Sequence, residues 1–142
     1  MFDLDAASAN PLSKLSLQLY STPVRAGFPS PAEDYIDKRL DLNEELITHP
    51  AATFFLRVDG DSMCDAGILN GDLLVVDRAV EPRNHHIVVC VVSGEFTVKR
   101  LRKVGGRVYL IPANGEYNPI EVTEDMDFVV WGVVMHAIHT VS

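Results

Sequence analysis

Residues 86–113, HIVVCVVSGEFTVKRLRKVGGRVYLIPA, read as consecutive β-hairpins. Three runs rich in valine, isoleucine and aromatic residues are separated by the pairs Ser93-Gly94 and Gly105-Gly106. Glycine reaches positive φ without a steric penalty, so each pair marks a tight turn between antiparallel strands. Similar runs stand on both sides: ATFFLRVDG (52–60) and GDLLVVD (71–77) before, DFVVWGVVMHAIHTV (127–141) after. The pattern predicts a mostly β domain of short, largely antiparallel strands over residues 52–142.

Upstream of residue 52 the signals weaken. The segment 24–50, VRAGFPSPAEDYIDKRLDLNEELITHP, has one helical candidate around Asn43 to Thr48, which must stop before Pro50. Residues 27–51 are therefore expected to form a tether with a short helix. Residues 1–23 are rich in Ser, Ala, Pro and Leu without sustained periodicity, and read as a loosely held, flexible arm.

Composition narrows the function. The chain has 142 residues, 47% of them apolar, and a formal net charge of −8. Phosphate contact needs clustered Lys and Arg, so a general nucleic-acid binder is disfavoured and a protein or small-ligand partner is expected. Two cysteines are too few to staple a domain of this size, and no secretory signal pattern opens the sequence, which points to the cytoplasm. The longest apolar runs, such as IVVCVV and FVVWGVV, fall far short of the ~18 residues a membrane span requires.

The chemistry-bearing candidates begin with Ser62, in DGDSM after a strand that ends in glycine. The spacing suits a tight turn that projects a hydroxyl and neighbouring amides. A nucleophilic serine needs a base. His85 and His86 lie in a turn after Pro82 and read as solvated; His136 and His139, three apart on a strand, fall on opposite faces and make no metal pair. No Cys or His spacing resembles a zinc ligand set. Cys64 reads as a packed cysteine rather than a thiolate.

Lys99 is the other basic candidate, with Thr97 and Leu101 on its own face of the strand. An unperturbed lysine is neutral only about four times in ten thousand at pH 7. Burial lowering its pKa by ~3 units, about 4 kcal/mol, would supply the free amine, so apolar surroundings are a mechanistic requirement. On residues alone, Ala26-Gly27 is only a flexible joint.

Taken together, AGFPSPAEDYIDKRLDLNEELITHPAATFF, DGDSM, GDLLVVD and GEFTVKRL resemble the UmuD members of the LexA/UmuD family of RecA-assisted, self-cleaving Ser-Lys peptidases. The match covers about residues 26 to 138. The resemblance implies a LexA/signal-peptidase-like β domain and a serine endopeptidase acting on its own arm. It assigns Ser62 as nucleophile, Lys99 as general base, the backbone amides of Ser62 and Asp61 as the oxyanion hole, and the Ala26-Gly27 bond as the one cut. It implies no cofactor or metal.

The family further implies a homodimer and promotion of the cut by a RecA filament on single-stranded DNA. The shortened dimer, lacking residues 1–26, would then act with a Y-family, UmuC-like polymerase subunit in error-prone translesion synthesis during the SOS response. Fully extended, the chain from Ala26 to Ser62 reaches about 120 Å, which suffices for attack in cis and equally for attack on a second subunit. Two alternatives share this chemistry. A LexA-type repressor needs an upstream DNA-binding domain, which the first 26 residues do not resemble. A signal-peptidase-like protease acting in trans would carry a membrane anchor.

Overall fold

A computed structural model describes residues 15–20, 24–28 and 36–142 of the chain. The chain divides into two units, residues 1–48 and 49–142. In the first, β1 (Ser16–Tyr20) pairs antiparallel with β2 (Ile36–Asp41), from Ser16 opposite Asp41 to Tyr20 opposite Ile36, with one irregularity at Leu19/Tyr20. The guanidinium of Arg39 donates to the Ser16 carbonyl at 2.6 Å across this ladder.

Here the structure departs from the sequence reading, which left residues 1–23 without regular structure. Leu17 and Leu19 alternate with polar neighbours, but five residues are too short a signal until β2 supplies the partner. The remaining arm residues, 1–14 and 21–23, lie outside the described part. Helix α1 (Leu42–Leu46) begins one residue before the expected start, because the Asp41 carboxylate caps it by accepting from the Asn43 amide at 3.0 Å. It ends at Ile47, whose backbone is already extended, short of Pro50.

The second unit is a seven-stranded antiparallel sheet. Its strands are β3 (Thr53–Arg57), β4 (Leu73–Asp77), β5 (Ile87–Val92), β6 (Glu95–Val104), β7 (Arg107–Ile111), β8 (Ile120–Val122) and β9 (Phe128–Ile138). They lie side by side in the order β3-β4-β9-β5-β6-β7-β8. The expectation of a mostly β, antiparallel domain is borne out. Both predicted hairpins are present: Ser93 and Gly94 have φ of 50° and 84°, Gly105 and Gly106 57° and 76°, so both central residues of each turn are left-handed as a type I′ turn requires.

The last strand, β9, sits in the middle and pairs with β4 along one half and β5 along the other. Each pairing is interrupted once. Opposite β5 the register passes from Gly132 to Val130, leaving Trp131 unpaired; opposite β4 it passes from His136 to Val134, leaving Met135 unpaired. Such bulges bend a strand and increase its twist. The sheet curls accordingly: Trp131 on β9 lies 5.5 Å from Phe54 on β3 and 5.6 Å from Phe96 on β6, ring centre to ring centre, although three strands separate β3 from β6 in the sheet.

The curl leaves apolar residues buried on both faces of β5. Val89 points to one core with Met63, Ile68, Leu74 and Val76, while Val88 and Cys90 point to another with Leu101, Leu110 and Val133. This explains why IVVCVV is apolar throughout rather than alternating. At Gly132 the packing tolerates no side chain, since a Cβ there would meet Val76 Cγ1 at 2.6 Å. Among the described residues no helix is long and apolar enough to cross a membrane.

Candidate active site

Ser62 stands where the chain leaves the sheet edge. Beyond β3, Val58 still exchanges backbone bonds with Gly71 and Asp72, the Gly60 amide donates to Asn70 Oδ1 at 2.8 Å, and Gly60 takes a φ of 105° that turns the chain. Ser62 and Met63 follow, leading into a single 3-10 turn at Cys64–Ala66. Met63 is 3% exposed and plugs the first core, so the residue after the serine anchors the turn from inside.

Lys99 comes from β6, opposite Val88 of β5. Its Nζ lies 3.0 Å from Ser62 Oγ, 2.8 Å from Thr97 Oγ1 and 3.1 Å from the Val98 carbonyl. Two of these acceptors satisfy the two N–H groups of a neutral amine, and the nitrogen lone pair then faces the Ser62 hydroxyl. Burial lowers the Lys99 pKa below its ordinary value, opposed weakly by the Cys90 thiol. The amine is therefore biased towards the form that can accept a proton.

The same turn borders a cleft of about 360 Å³, lined by apolar side chains including Leu56, Val58, Met63, Ile68 and Val89, and by Ser62 and Thr97. Ser62, Thr97 and Val98, the three residues whose oxygens meet the Lys99 amine, all line this cleft. The wall at residues 56–59 belongs to or directly continues β3, which ends the strand order and whose outer edge pairs with no strand among the described residues.

The other predicted residues take distinct places. The amides of Asp61 and Ser62 donate to no acceptor among the described residues. Ala26 and Gly27 lie in the exposed segment 24–28. Cys64 is half-buried, and its thiol is held above the ordinary range by burial first and then by the Asp65 and Asp61 carboxylates, the reverse of a thiolate site. Cys90 is buried and pushed up to about 11. His85 and His86 serve their turn: the His85 amide and the His86 carbonyl bond to Leu101, and His86 Nδ1 accepts from the Arg83 amide. Among the described residues no three His, Cys, Asp or Glu side chains gather as a metal site would require.

Two features escaped the sequence reading. The loop after β7 reaches the serine turn through Asn114 and Tyr117, both bonded to Asp61. At the far end of β4, the buried carboxylate of Asp77 meets His49 Nδ1 at 2.6 Å. Neither pair has a local signature, because each joins residues distant in sequence.

A serine hydroxyl beside a lowered-pKa lysine, with free amides alongside and an open sheet edge, can carry out acyl transfer on an extended peptide. That is the chemistry of a peptidase domain. Residues 18–135 match the Peptidase S24-like family, and the chain belongs to it. It is 45% identical to protein ImpA of Salmonella typhimurium over 127 residues, covering 85% of this chain and 82% of ImpA. Protein MucA of Escherichia coli is 44% identical over 124 residues, 87% of this chain and 84% of MucA. The LexA repressor of Bordetella parapertussis is 41% identical over 129 residues, 91% of this chain but 59% of the repressor. The kinship expected from DGDSM and GEFTVKRL is borne out.

Proposed function

We propose that this protein is a self-cleaving serine endopeptidase of the SOS response, which cuts its own Ala26-Gly27 bond with Ser62 as nucleophile and Lys99 as general base. The observation that carries this reading is the 3.0 Å approach of Lys99 Nζ to Ser62 Oγ beside a cleft, in a family of peptidases. The outer edge of β3 pairs with no strand among the described residues, and unpaired backbone groups of this kind offer an extended peptide a template for main-chain hydrogen bonds.

Ser62 Oγ attacks the Ala26 carbonyl carbon while its proton passes to neutral Lys99 Nζ. The oxygen of the tetrahedral intermediate takes its negative charge towards the amides of Ser62 and Asp61. The C–N bond then breaks, Lys99 returns the proton to the Gly27 amine, and Ala26 is left as an ester on Ser62. Water attacks this ester, giving a proton to Lys99 and releasing the Ala26 carboxylate as Ser62 regains its hydrogen. Tethering makes the first attack effectively unimolecular.

In this reading the cut is promoted by a RecA filament on single-stranded DNA. The shortened chain acts as a cytoplasmic homodimer and accessory subunit of a Y-family translesion polymerase. Kinship with ImpA and MucA supports a role in this class of assembly.

Incubation of the purified chain at pH 7 and pH 10 tests the core of the proposal. A fragment beginning at Gly27 should form, faster at pH 10, and should be absent from Ser62→Ala and Lys99→Ala. Undiminished cleavage in Lys99→Ala would reject the assigned base.

A further inference from the structure

Among the described residues, the peptide unit that joins Asp61 to Ser62 is held from one side only. Its carbonyl oxygen accepts from Asn114 Nδ2 at 2.9 Å and from the Cys64 amide at 3.1 Å. Asn114 is itself fixed in the orientation that presents its NH2, because its Oδ1 accepts from the Glu116 amide at 3.0 Å. A peptide bond is planar, and no cis bond occurs in the described chain. Gripping the Asp61 carbonyl therefore points the Ser62 N–H in the opposite direction.

Three further bonds tie the same loop to the same turn. Tyr117 donates its hydroxyl to Asp61 Oδ1 at 2.8 Å, the Asp65 amide donates to the Ala113 carbonyl at 2.7 Å, and the Ala113 amide donates to Met63 Sδ at 3.3 Å. The Asp61 carboxylate holds the Tyr117 hydroxyl's pKa above its ordinary value, as a strong acceptor for that proton does. Loop residues 113–117 thus brace residues 61–65 on both sides of the nucleophile, while making no bond to Lys99.

We infer that Asn114, assisted by Tyr117, is the positioning residue that aims the Ser62 amide at the oxyanion, so that the loop between β7 and β8 tunes the rate of bond cleavage without touching the proton-transfer pair. This rests on the self-cleavage reading above. It assigns the loop a role in stabilising the transition state, separate from substrate binding and from the lysine.

The test follows self-cleavage of the full chain by mass spectrometry from pH 7 to pH 10 in wild type, Ser62→Ala, Asn114→Asp and Tyr117→Phe. Loss of an oxyanion donor costs about 10²–10³-fold, so misaiming one should slow Asn114→Asp by about 10–50-fold, and Tyr117→Phe by a few-fold. The midpoint of the pH–rate profile should stay at the wild-type value. A Val-Arg-Ala peptide ending in a boronic acid, which becomes tetrahedral on Ser62, should lose affinity by the same factor as the rate. The matching carboxamide should bind unchanged.

Cleavage of Asn114→Asp within two-fold of wild type overturns the inference. Equal loss of boronate and carboxamide binding also overturns it, because the loop would then merely hold the cleft together. Should Asn114→Asp fail to fold, Tyr117→Phe decides alone, and a wild-type rate there is fatal. Cleavage persisting in Ser62→Ala would instead sink the underlying reading of the site.

Discussion

Asp77, closing β4, and Lys99, inside β6, are both drawn out of water by the same curled sheet, yet the protein treats their charges in opposite ways. Burial alone would raise the pKa of Asp77, but the hydrogen bond from His49 and those from the Ala79 and Val80 amides outweigh it, and the net shift is downward. Its charge is kept. Among the described residues Lys99 has only neutral partners, two hydroxyls and a carbonyl, so burial dominates and its charge is disfavoured. The difference lies in partners rather than depth: the carboxylate is surrounded by donors, whereas the amine, the base of the proposed reaction, meets no counter-ion among the described residues.

The linkage signs follow. The unfolded chain holds the Asp77 proton more tightly than the folded one, so the stability this carboxylate contributes is present above its unfolded pKa near ~3.9 and is lost as pH falls through the folded value. The unfolded chain also holds the Lys99 proton more tightly. Stability therefore rises with pH between the lowered folded pKa and the unfolded value near ~10.4.

The strongest way to break this contrast is to make the lysine's charge permanent. Lys99→Arg replaces an amine that can be neutral with a guanidinium that cannot, so self-cleavage should fall by at least about 10³-fold and should not recover at pH 10. Gel quantification of the Gly27 fragment reads this directly, and cleavage that returned at high pH would mean that a neutral amine is not required.

Asp77→Asn perturbs the other end. The amide offers one oxygen where the carboxylate serves several donors, and its NH2 would meet an opposing N–H. Stability at pH 7 should drop by about 1–3 kcal/mol in urea melts, and the acid-side loss of stability should flatten. The pH midpoint of cleavage should stay where it is, since Asp77 and Lys99 share no partner.

A smaller effect is expected from Thr97→Val, which removes the 2.8 Å acceptor of Lys99 without changing side-chain shape. An acceptor favours the charged amine, so its loss moves the cleavage midpoint to lower pH. The lone pair also becomes less well aimed at Ser62, and the high-pH plateau should fall by about 3–10-fold. A full pH–rate series separates the two shifts, and an unmoved midpoint would show that Thr97 does not set the lysine's charge.

The legibility of this protein divides along the range of its interactions. The hairpins at Ser93-Gly94 and Gly105-Gly106 were readable because turn geometry is local: two consecutive left-handed residues between β runs admit few other outcomes. Thr97 and Lys99 could be put on one face for the same reason, as the side-chain period of a strand is two. The helix limits were blurred at both ends: Asp41 reaches forward to Asn43 and starts the helix one residue early, and the backbone is extended by Ile47, before the expected end at Thr48. Strands β1 and β2 were both missed, β2 within the expected tether, because each becomes a strand only when the other lies beside it. Nothing local in FVVWGVVMHAI announces that Trp131 and Met135 bulge, since a bulge is a mismatch between two strands rather than a property of one.

The site divides in the same manner. Residue types and family resemblance nominated Ser62, Lys99 and Ala26-Gly27, and local pattern determined the antiparallel β class, the two hairpin turns and the face on which Lys99 stands. Only the tertiary structure decided that this face meets the serine turn, that burial rather than a counter-charge governs the amine, and that Asn114 and Tyr117 reach Asp61. The physical reason is that φ/ψ preferences and side-chain alternation act over a few residues, whereas the 3.0 Å between amine and hydroxyl depends on how far a seven-stranded sheet curls, which is set by the bulges and cores of the whole unit.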